Sequence, residues 1–281
     1  GKRLQFSDRS HDDSLQILTD LVKGAQPDLV ILTGDILDGR GPWESSTSFI
    51  QEFEAIADSI CGVQWAFIPG NHDDDQSPWQ RSDLLKVFGV KNCVQAGAKG
   101  FDHTFTVSVA DSDISSARTT RLFLYDSGGN HPDKTIKYYT VSQGAVEGLR
   151  RFTMKRHEEE AKRQGPKTKK NKEVALVYLH IPLPQYENLD PVAGRAGVFE
   201  AALAAGMVPA PWQFVPALLR ALGKHRVVGC SRASSQGLFA ALSAEAAHQP
   251  ETEAMAVFCG HDHHSDAIFW RDPLFLCYGR C

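Results

Sequence analysis

Four short stretches, far apart in the chain, each place metal-binding side chains directly after a run of apolar residues. They are Leu32-Thr33-Gly34-Asp35, Ile68-Pro69-Gly70-Asn71-His72-Asp73, Tyr178-Leu179-His180 and Cys259-Gly260-His261-Asp262-His263. Apolar runs of this length, bounded by turn residues, are typical of buried parallel strands. Ligands of parallel sheets gather beyond the carboxyl ends of such strands. We therefore expect these stretches to form one metal-binding site.

The last stretch carries two imidazoles, His261 and His263, two residues apart after Gly260. Residues at this spacing in an extended segment point to the same side. A lone histidine near a strand end is usually a structural residue, but two at this spacing favour metal ligation. We predict that both are ligands.

The turn after Pro69-Gly70 presents an amide, an imidazole and a carboxylate in succession. Asn71 is predicted to supply a neutral oxygen ligand, His72 to be a catalytic imidazole, and Asp73 to orient His72 as carboxylates often do. Taken alone, Asn71 is an ordinary turn residue and Asp35 is better explained as a helix cap. The combination of the stretches is what predicts a site.

The elements that must position these residues alternate strand, helix and strand in the first part of the chain. Strands are predicted over Leu4–Ser7, ending at Asp8, and over Leu29–Thr33 and Val63–Ile68. Helical spacing of apolar residues covers Ser14–Lys23 and, between the second and third strands, residues 49–60. Such alternation with short links predicts a parallel sheet.

The remainder of the chain predicts further strands and helices, with one domain over residues 1–281. An antiparallel pair is expected at Thr104–Val109 and Arg121–Tyr125, joined by a polar loop over Asp111–Thr120. A mostly helical insertion is expected around residues 190–226. The other predicted elements are helices at Ser142–Gln164 and Ser235–Ala246, and strands at Val174–Leu179, Met255–Cys259, Ala267–Trp270 and Leu274–Tyr278.

Composition predicts a soluble globular protein of 281 residues with a net charge of −4. That charge gives no general attraction to nucleic acid or to anionic lipid, so neither a nucleic-acid nor a membrane partner is expected. No apolar run approaches the ~20 residues of a membrane span, and no signal peptide is seen. Six cysteines without a Cys-x-x-Cys pair favour reduced thiols and a cytoplasmic location. The oligomeric state is not readable.

In their order, these motifs resemble the calcineurin-like metallophosphoesterase superfamily over nearly the whole chain. The pattern is Asp8, Gly34-Asp35, Gly70-Asn71-His72-Asp73, His180 and Gly260-His261-x-His263. The flanking stretches Leu124-Tyr125-Asp126-Ser127-Gly128 and His180-Ile181-Pro182-Leu183-Pro184 are similar to the small, single-domain branch related to purple acid phosphatases. The resemblance implies an α/β (α+β) fold, a four-layer αββα sandwich of two mixed sheets flanked by helices.

The resemblance also implies a dinuclear metal centre at the strand ends. Asp35 would bridge both ions, Asp8 and His263 would bind the first, and Asn71, His180 and His261 would bind the second. His72 would stabilise the phosphoryl transition state or protonate the leaving group. Two divalent or trivalent ions (Mn, Fe, Zn or Mg) would neutralise phosphate oxygens and activate a bridging hydroxide for in-line attack.

Two departures from the family pattern concern the metals. The family carries Asp-x-His at its first motif, whereas this chain has Asp8-Arg9-Ser10-His11. Either His11 fills the first site from a shifted position, or residues that the family carries after Asp8 are missing here. Asp38 stands where purple acid phosphatases carry a tyrosine ligand, so no purple Fe(III) absorption band is expected.

Arg40 is a candidate phosphate ligand, with an ordinary surface arginine as an equal alternative.

The function implied is hydrolysis of phosphoric esters, with a phosphorylated small molecule or a phosphoprotein as substrate. The purple-acid-phosphatase-like flanking stretches favour monoesters over diesters. Two alternatives stay open, a phosphodiesterase of the same fold and a catalytically weak metal-binding or interaction module. A zinc hydrolase of another fold would call for His-Glu-x-x-His, which is absent.

Overall fold

A computed structural model describes most of the predicted elements of the chain. The described residues are 8–39, 46–75, 80–109, 118–162, 173–186, 191–194, 230, 237–248, 252–261, 267–271 and 273–279. For Asp8 and His11 only the backbone is described. The predicted strand Leu4–Ser7 and nearly all of the predicted insertion around residues 190–226 lie outside this set, so the single-domain organisation stays a prediction.

Four helices and nine strands are defined within the described residues. In chain order they are α1 Asp8–Ala25, β1 Leu29–Leu32, α2 Ser46–Ser59, β2 Gln64–Phe67, β3 His103–Val109, β4 Arg118–Leu124, α3 Gln143–Lys162, β5 Glu173–Leu179, β6 Pro191–Gly194, α4 Leu238–His248, β7 Thr252–Cys259, β8 Ala267–Arg271 and β9 Leu274–Tyr278. Two 3-10 helices cover Arg81–Gly89 and Pro184–Tyr186. No helix among the described residues is long and apolar enough to cross a membrane.

The strands form two sheets. The smaller sheet pairs β1 with β2 in parallel, from Leu29 opposite Gln64 to Leu32 opposite Phe67. The larger sheet has seven strands in the order β3-β4-β5-β7-β9-β8-β6. Its central strands β4, β5, β7 and β9 are parallel, while β3, β8 and β6 are antiparallel to their neighbours. The carboxyl ends of β1, β2, β5 and β7 carry the four stretches singled out above.

Side-chain alternation along β2 shows how the layers stack. Trp65 and Phe67 pack against Phe53 and Ile60 of α2, on the outer face of the small sheet. Ala66 and Ile68 point the other way and pack with leucines 122 and 124 of β4, between the two sheets. Successive residues of a strand face opposite sides, so one strand serves both layers.

The outer face of the large sheet is covered by α3 and α4. Val146 and Leu149 of α3 and Leu238 and Leu242 of α4 pack on apolar residues of β5 and β7. The order of layers is therefore helix, sheet, sheet, helix. This confirms the predicted four-layer αββα fold.

Several elements differ from the sequence prediction. α1 begins at Asp8, which was predicted to follow a strand, and β6 lies in a region predicted to be mostly helical. β4 begins at Arg118, because Arg118 pairs with Val109 of β3, so the last three residues of the predicted loop Asp111–Thr120 belong to a strand. The 3-10 helix Arg81–Gly89 was not predicted, although its buried residues Leu84, Val87 and Phe88 have helical spacing. That helix carries Arg81, which matters for the site.

Candidate metal centre

The turns after β1 and β2 approach each other through two glycines. Gly34 has a φ of +95°, and a Cβ there would lie 2.5 Å from the backbone nitrogen of Gly70 and 2.7 Å from Nδ1 of His180. A Cβ on Gly70 would overlap Oδ1 of Asp35. Only glycine fits such a backbone contact. The contact brings Asp35 and Asn71 side by side although they are far apart in sequence.

Asp35 and His261 both adopt left-handed backbone conformations, with φ values of 53° and 87°. Non-glycine residues seldom occupy this region, and those that do cluster at functional sites. In both cases the unusual φ occurs at the point where a parallel strand has just ended and a potential ligand side chain begins.

Asp73 joins the two turns from inside. Its side chain is fully buried. Oδ2 accepts hydrogen bonds from the backbone N–H of Asp35 at 2.9 Å and of Gly70 at 2.7 Å, and Oδ1 accepts from Ile36 at 2.9 Å and Leu37 at 3.0 Å. Burial raises the pKa of Asp73, opposed by the N–H groups of Leu37 and Gly70. The carboxylate is a clamp on the backbone of both turns.

Asp35 divides its two oxygens between the backbone and the site. Oδ1 accepts the backbone N–H of His72 at 2.8 Å, whereas Oδ2 lies 3.1 Å from Nε2 of His180. Burial acts to raise the pKa of Asp35, whereas a His180 ring protonated on both nitrogens and the N–H of His72 lower it to about 2. Asp35 is therefore a carboxylate at neutral pH.

The ring of His180 is oriented by a backbone carbonyl. Nδ1 lies 2.8 Å from the oxygen of Thr33, and because a carbonyl only accepts, Nδ1 carries the proton. When the ring is neutral, Nε2 of this fully buried side chain presents a lone pair. Facing that lone pair are Asn71 Oδ1 at 3.1 Å and Asp35 Oδ2 at 3.1 Å, with His261 Nδ1 at 3.2 Å. A metal-bound histidine typically donates its other ring N–H in this way.

These residues fit a metal ion. Ligand atoms of Asp35, His180 and His261 all lie within 4.8 Å of one another. Oδ2 of Asp35 is buried and receives no well-aligned hydrogen bond from the described residues. Buried acceptors that face one another without a proton between them repel, and a cation among them removes the repulsion. Carboxylate, amide oxygen and imidazole together suit several divalent metals.

The structure thus brings together Asp35, Asn71, His180 and His261, the residues predicted to serve the second ion. The side chains of Asp8, His11 and His263 and the whole of Arg40 lie outside what the structure describes. Their roles at the first ion and at the phosphate stay predictions.

The role predicted for Asp73 needs correction. We expected Asp73 to orient His72, but its oxygens bind the backbone of the two turns, as described above. The residue against His72 is Asp75, whose Oδ2 lies 3.1 Å from Nδ1 of the ring. The chain turns back after His72, so Asp73 faces inward and the residue three positions after the histidine returns to its side.

Sequence reasoning also missed Arg81, which holds the turn after β2. Its guanidinium donates to the carbonyl oxygens of Gly70 at 2.8 Å and Pro69 at 3.2 Å, and to the carboxylates of Asp74 at 2.9 Å and Asp126 at 3.0 and 2.5 Å. Burial lowers the pKa of Arg81, but the bond to Asp126 and the charges of the two carboxylates raise it above its usual value. No sequence motif marks this arginine.

The loop after β4 contacts the turns that follow β2, β5 and β7. Ser127 Oγ accepts the backbone N–H of Ile181 at 2.8 Å, next to His180. Asn130 bonds to Asn71. The ring of Tyr138 lies edge-on to His261, with centroids 4.6 Å apart. The start of this loop was part of the family resemblance, whereas Asn130 and Tyr138 carried no signal.

Comparisons with known proteins show the family and the fold of the chain. Residues 7–265 match the family of calcineurin-like phosphoesterases. A protein of Arabidopsis thaliana named probable inactive purple acid phosphatase 29 is 24% identical over 291 aligned positions, which cover 97% of this chain and 64% of that protein. The chain therefore spans less than two thirds of the length of this relative. A crystal structure of a dimetal phosphatase from Danio rerio has the same fold, with a TM-score of 0.53 and 11% identity over 95% of this chain and 77% of that one.

Proposed function

Because the chain belongs to the calcineurin-like phosphoesterase family, we propose that it is a metal-dependent phosphomonoesterase that acts on a phosphorylated small molecule or a phosphoprotein. The observation that carries the proposal is the convergence of acceptor atoms from Asp35, Asn71 and His180 on one point, with His261 beside them. The preference for monoesters is supported by the purple-acid-phosphatase-like sequences around Asp126 and His180.

Asp35, Asn71, His180 and His261 would hold one metal ion, and Asp8 and His263 would complete a second with Asp35. Bound there, divalent ions would neutralise phosphoryl oxygens and make a nearby water more acidic. The chain itself supplies the rigidity. Asp73 and Arg81 fix the backbone of the two turns, so little reorganisation remains when substrate binds.

We infer that His72 transfers a proton in the reaction. Its backbone N–H is held by Asp35 Oδ1, and its ring Nδ1 contacts Asp75. The ring keeps about a third of its surface accessible, at 29%, so Nε2 remains available to hold a proton for the leaving oxygen. We assign His72 the role of general acid and Asp75 that of its positioning residue.

A second candidate is a metal-binding module without turnover. The observation that favours it is the name of the plant relative, a probable inactive phosphatase. Against it, the described half of the site retains a complete set of acceptors together with His72. The difference between the two candidates lies in turnover, not in metal content.

The test combines metal counting with two chromogenic substrates. Protein purified without chelator is analysed for metal by elemental mass spectrometry, then assayed with p-nitrophenyl phosphate and bis-p-nitrophenyl phosphate, before and after metal removal. We expect about two metal equivalents per chain, faster hydrolysis of the monoester, and loss of activity on metal removal that added Mn²⁺ restores. Metal without hydrolysis of either ester would support the binding module, and faster hydrolysis of the diester would support a phosphodiesterase.

A further inference from the structure

Asn130, in the loop after β4, forms a reciprocal pair with Asn71. Its Nδ2 donates to the backbone oxygen of Asn71 at 3.0 Å. In the opposite direction, Nδ2 of Asn71 donates to Oδ1 of Asn130 at 3.4 Å. Asn71 is 2% exposed, so few other groups compete for its amide.

The pair determines which end of the Asn71 amide faces the metal centre. The two ends of an asparagine amide have nearly the same shape, and only their partners distinguish them. The backbone oxygen of Asn71 can only accept, so Nδ2 of Asn130 must face it and Oδ1 of Asn130 must face away. That oxygen in turn requires a donor, which is Nδ2 of Asn71. The remaining end of Asn71, Oδ1, is then aimed at His180 Nε2, 3.1 Å away.

The same reasoning applies on the other side of the site. The backbone oxygen of Thr33 fixes the proton on Nδ1 of His180, which aims the lone pair of Nε2 at Asn71 Oδ1. Two carbonyls of the main chain thus aim two acceptors at one point. With its amide reversed, Asn71 would direct N–H groups at a cation, which repels it.

We propose that Asn130 is a positioning residue that keeps the amide oxygen of Asn71 directed at the cation. The inference rests on the metal centre of the proposed function and concerns a residue that need not touch the metal or the substrate. The loop is well placed for this role, since Asn130 also pairs with Tyr138 through the backbone and Tyr139 N–H donates to the oxygen of Gly129 at 3.0 Å.

The test is a double-mutant cycle read out by metal affinity. Asn130→Ala is made in the unaltered chain and in Asn71→Asp, and Mn²⁺ binding to each metal-free protein is measured by calorimetry. An aspartate at position 71 offers an oxygen at either end, so it needs no orientation. Lys134→Ala, at an exposed position of the same loop, is the matched control.

We expect Asn130→Ala to weaken Mn²⁺ binding about 10-fold in the unaltered chain, at the lower end for residues that orient a ligand, because Asn130 is exposed and one of its bonds is long. In the Asn71→Asp background the same substitution should change affinity less than about 2-fold, the signature of coupled residues. Lys134→Ala should bind as the unaltered chain does. Thermal unfolding by circular dichroism checks that each variant is folded.

Equal affinity of Asn130→Ala and the unaltered chain would overturn the inference while leaving the metal centre intact. Equal losses in both backgrounds would also overturn it, because they would indicate a structural role for the loop. Failure of the unaltered chain to bind Mn²⁺ would overturn the proposed function as well. Should Asn130→Ala not fold, Asn130→Ser, whose side chain is too short to reach Asn71, should weaken Mn²⁺ binding to a similar extent; unchanged binding by the folded serine variant would contradict the inference.

Discussion

The carboxylates Asp35 and Asp73 lie in adjoining turns and are used in opposite ways. All four hydrogen bonds described for the carboxylate of Asp73 come from backbone N–H groups of the two turns. Asp35 uses one oxygen on the N–H of His72 and keeps the other directed at His180. A buried carboxylate whose oxygens both bind backbone donors stabilises the fold, whereas one that retains an oxygen among other acceptors is suited to a cation.

A buried charge cluster on the far side of the large sheet sharpens the comparison. There Glu245 Oε1 lies 2.6 Å from Nη2 of Arg156 and 3.4 Å from Nη1 of Arg121. Donors face an acceptor, and the protein supplies both charges. At the strand ends, oxygen atoms of Asp35 and Asn71 and Nε2 of His180 face one another, an arrangement that a bound cation would stabilise. Burial alone therefore does not distinguish a structural cluster from a metal centre, but the pairing of donors and acceptors does.

The largest effect is expected from Asp35→Asn. The substitution keeps an oxygen for His72 but places an NH₂ group against Nε2 of His180, where it donates a hydrogen bond and excludes a cation. Loss of the metal would remove several kcal/mol of transition-state stabilisation, which should lower kcat/KM roughly 1000-fold or more. Metal content should fall in parallel, while the free energy of unfolding of the metal-free protein in urea should change by less than about 0.5 kcal/mol. Unchanged metal content would contradict the assignment of Asp35 as a ligand.

Asp73→Asn should mainly lower stability, whereas Asp35→Asn should mainly lower activity. An amide cannot accept all four backbone hydrogen bonds, so buried N–H groups lose their partner and the free energy of unfolding should fall by about 3 kcal/mol. Urea denaturation of the metal-free variant, followed by circular dichroism beside Asp35→Asn, measures the difference. Equal stability of these two variants would remove the distinction between the two carboxylates.

His72→Ala should affect turnover without affecting metal. Removing a general acid lowers kcat by about 100-fold or more, but the described metal ligands and the Asp73 clamp remain in place. Elemental analysis and kcat measured on one preparation test this expectation. Full activity of His72→Ala together with full activity of Asp35→Asn would refute the whole site.

The smallest of these effects should follow Asp75→Asn, which weakens the contact with Nδ1 of His72. A residue that only orients the acid should lower kcat by about 10-fold with little change in KM. Asp58→Asn, at an exposed position of α2, is the matched control and should be indistinguishable from the unaltered chain. A loss confined to KM would indicate that Asp75 contacts substrate instead.

Much of the fold could be predicted from the sequence, because the period of the apolar residues indicates which side chains are buried. The alternation of Trp65, Ala66, Phe67 and Ile68 between two layers is one case, and the antiparallel pairing of β3 with β4 is another. The extent of β4 was not readable, because the pairing of Arg118 with Val109 depends on a partner strand and the local residues are polar. For the same reason β6, only four residues long and starting at a proline, gave no signal.

The candidate metal centre, too, could be predicted from the sequence only in part. The residue types and their places after strands and glycines indicated Asp35, Asn71, His180 and His261, because a parallel sheet collects its strand ends at one edge. The division of roles among Asp73, Asp74 and Asp75 was not accessible, since three successive carboxylates look alike until the turn folds. One then clamps the backbone, one binds Arg81, and one faces His72.

The sequence by itself therefore determined which side chains can bind metal and that they meet, because strand order and local turns are encoded in short segments. Only the tertiary structure decided how those side chains are aimed. Arg81, Asn130 and the carbonyl of Thr33 orient the site from other loops. The direction of a hydrogen bond depends on partners that are distant in sequence, and no local pattern records it.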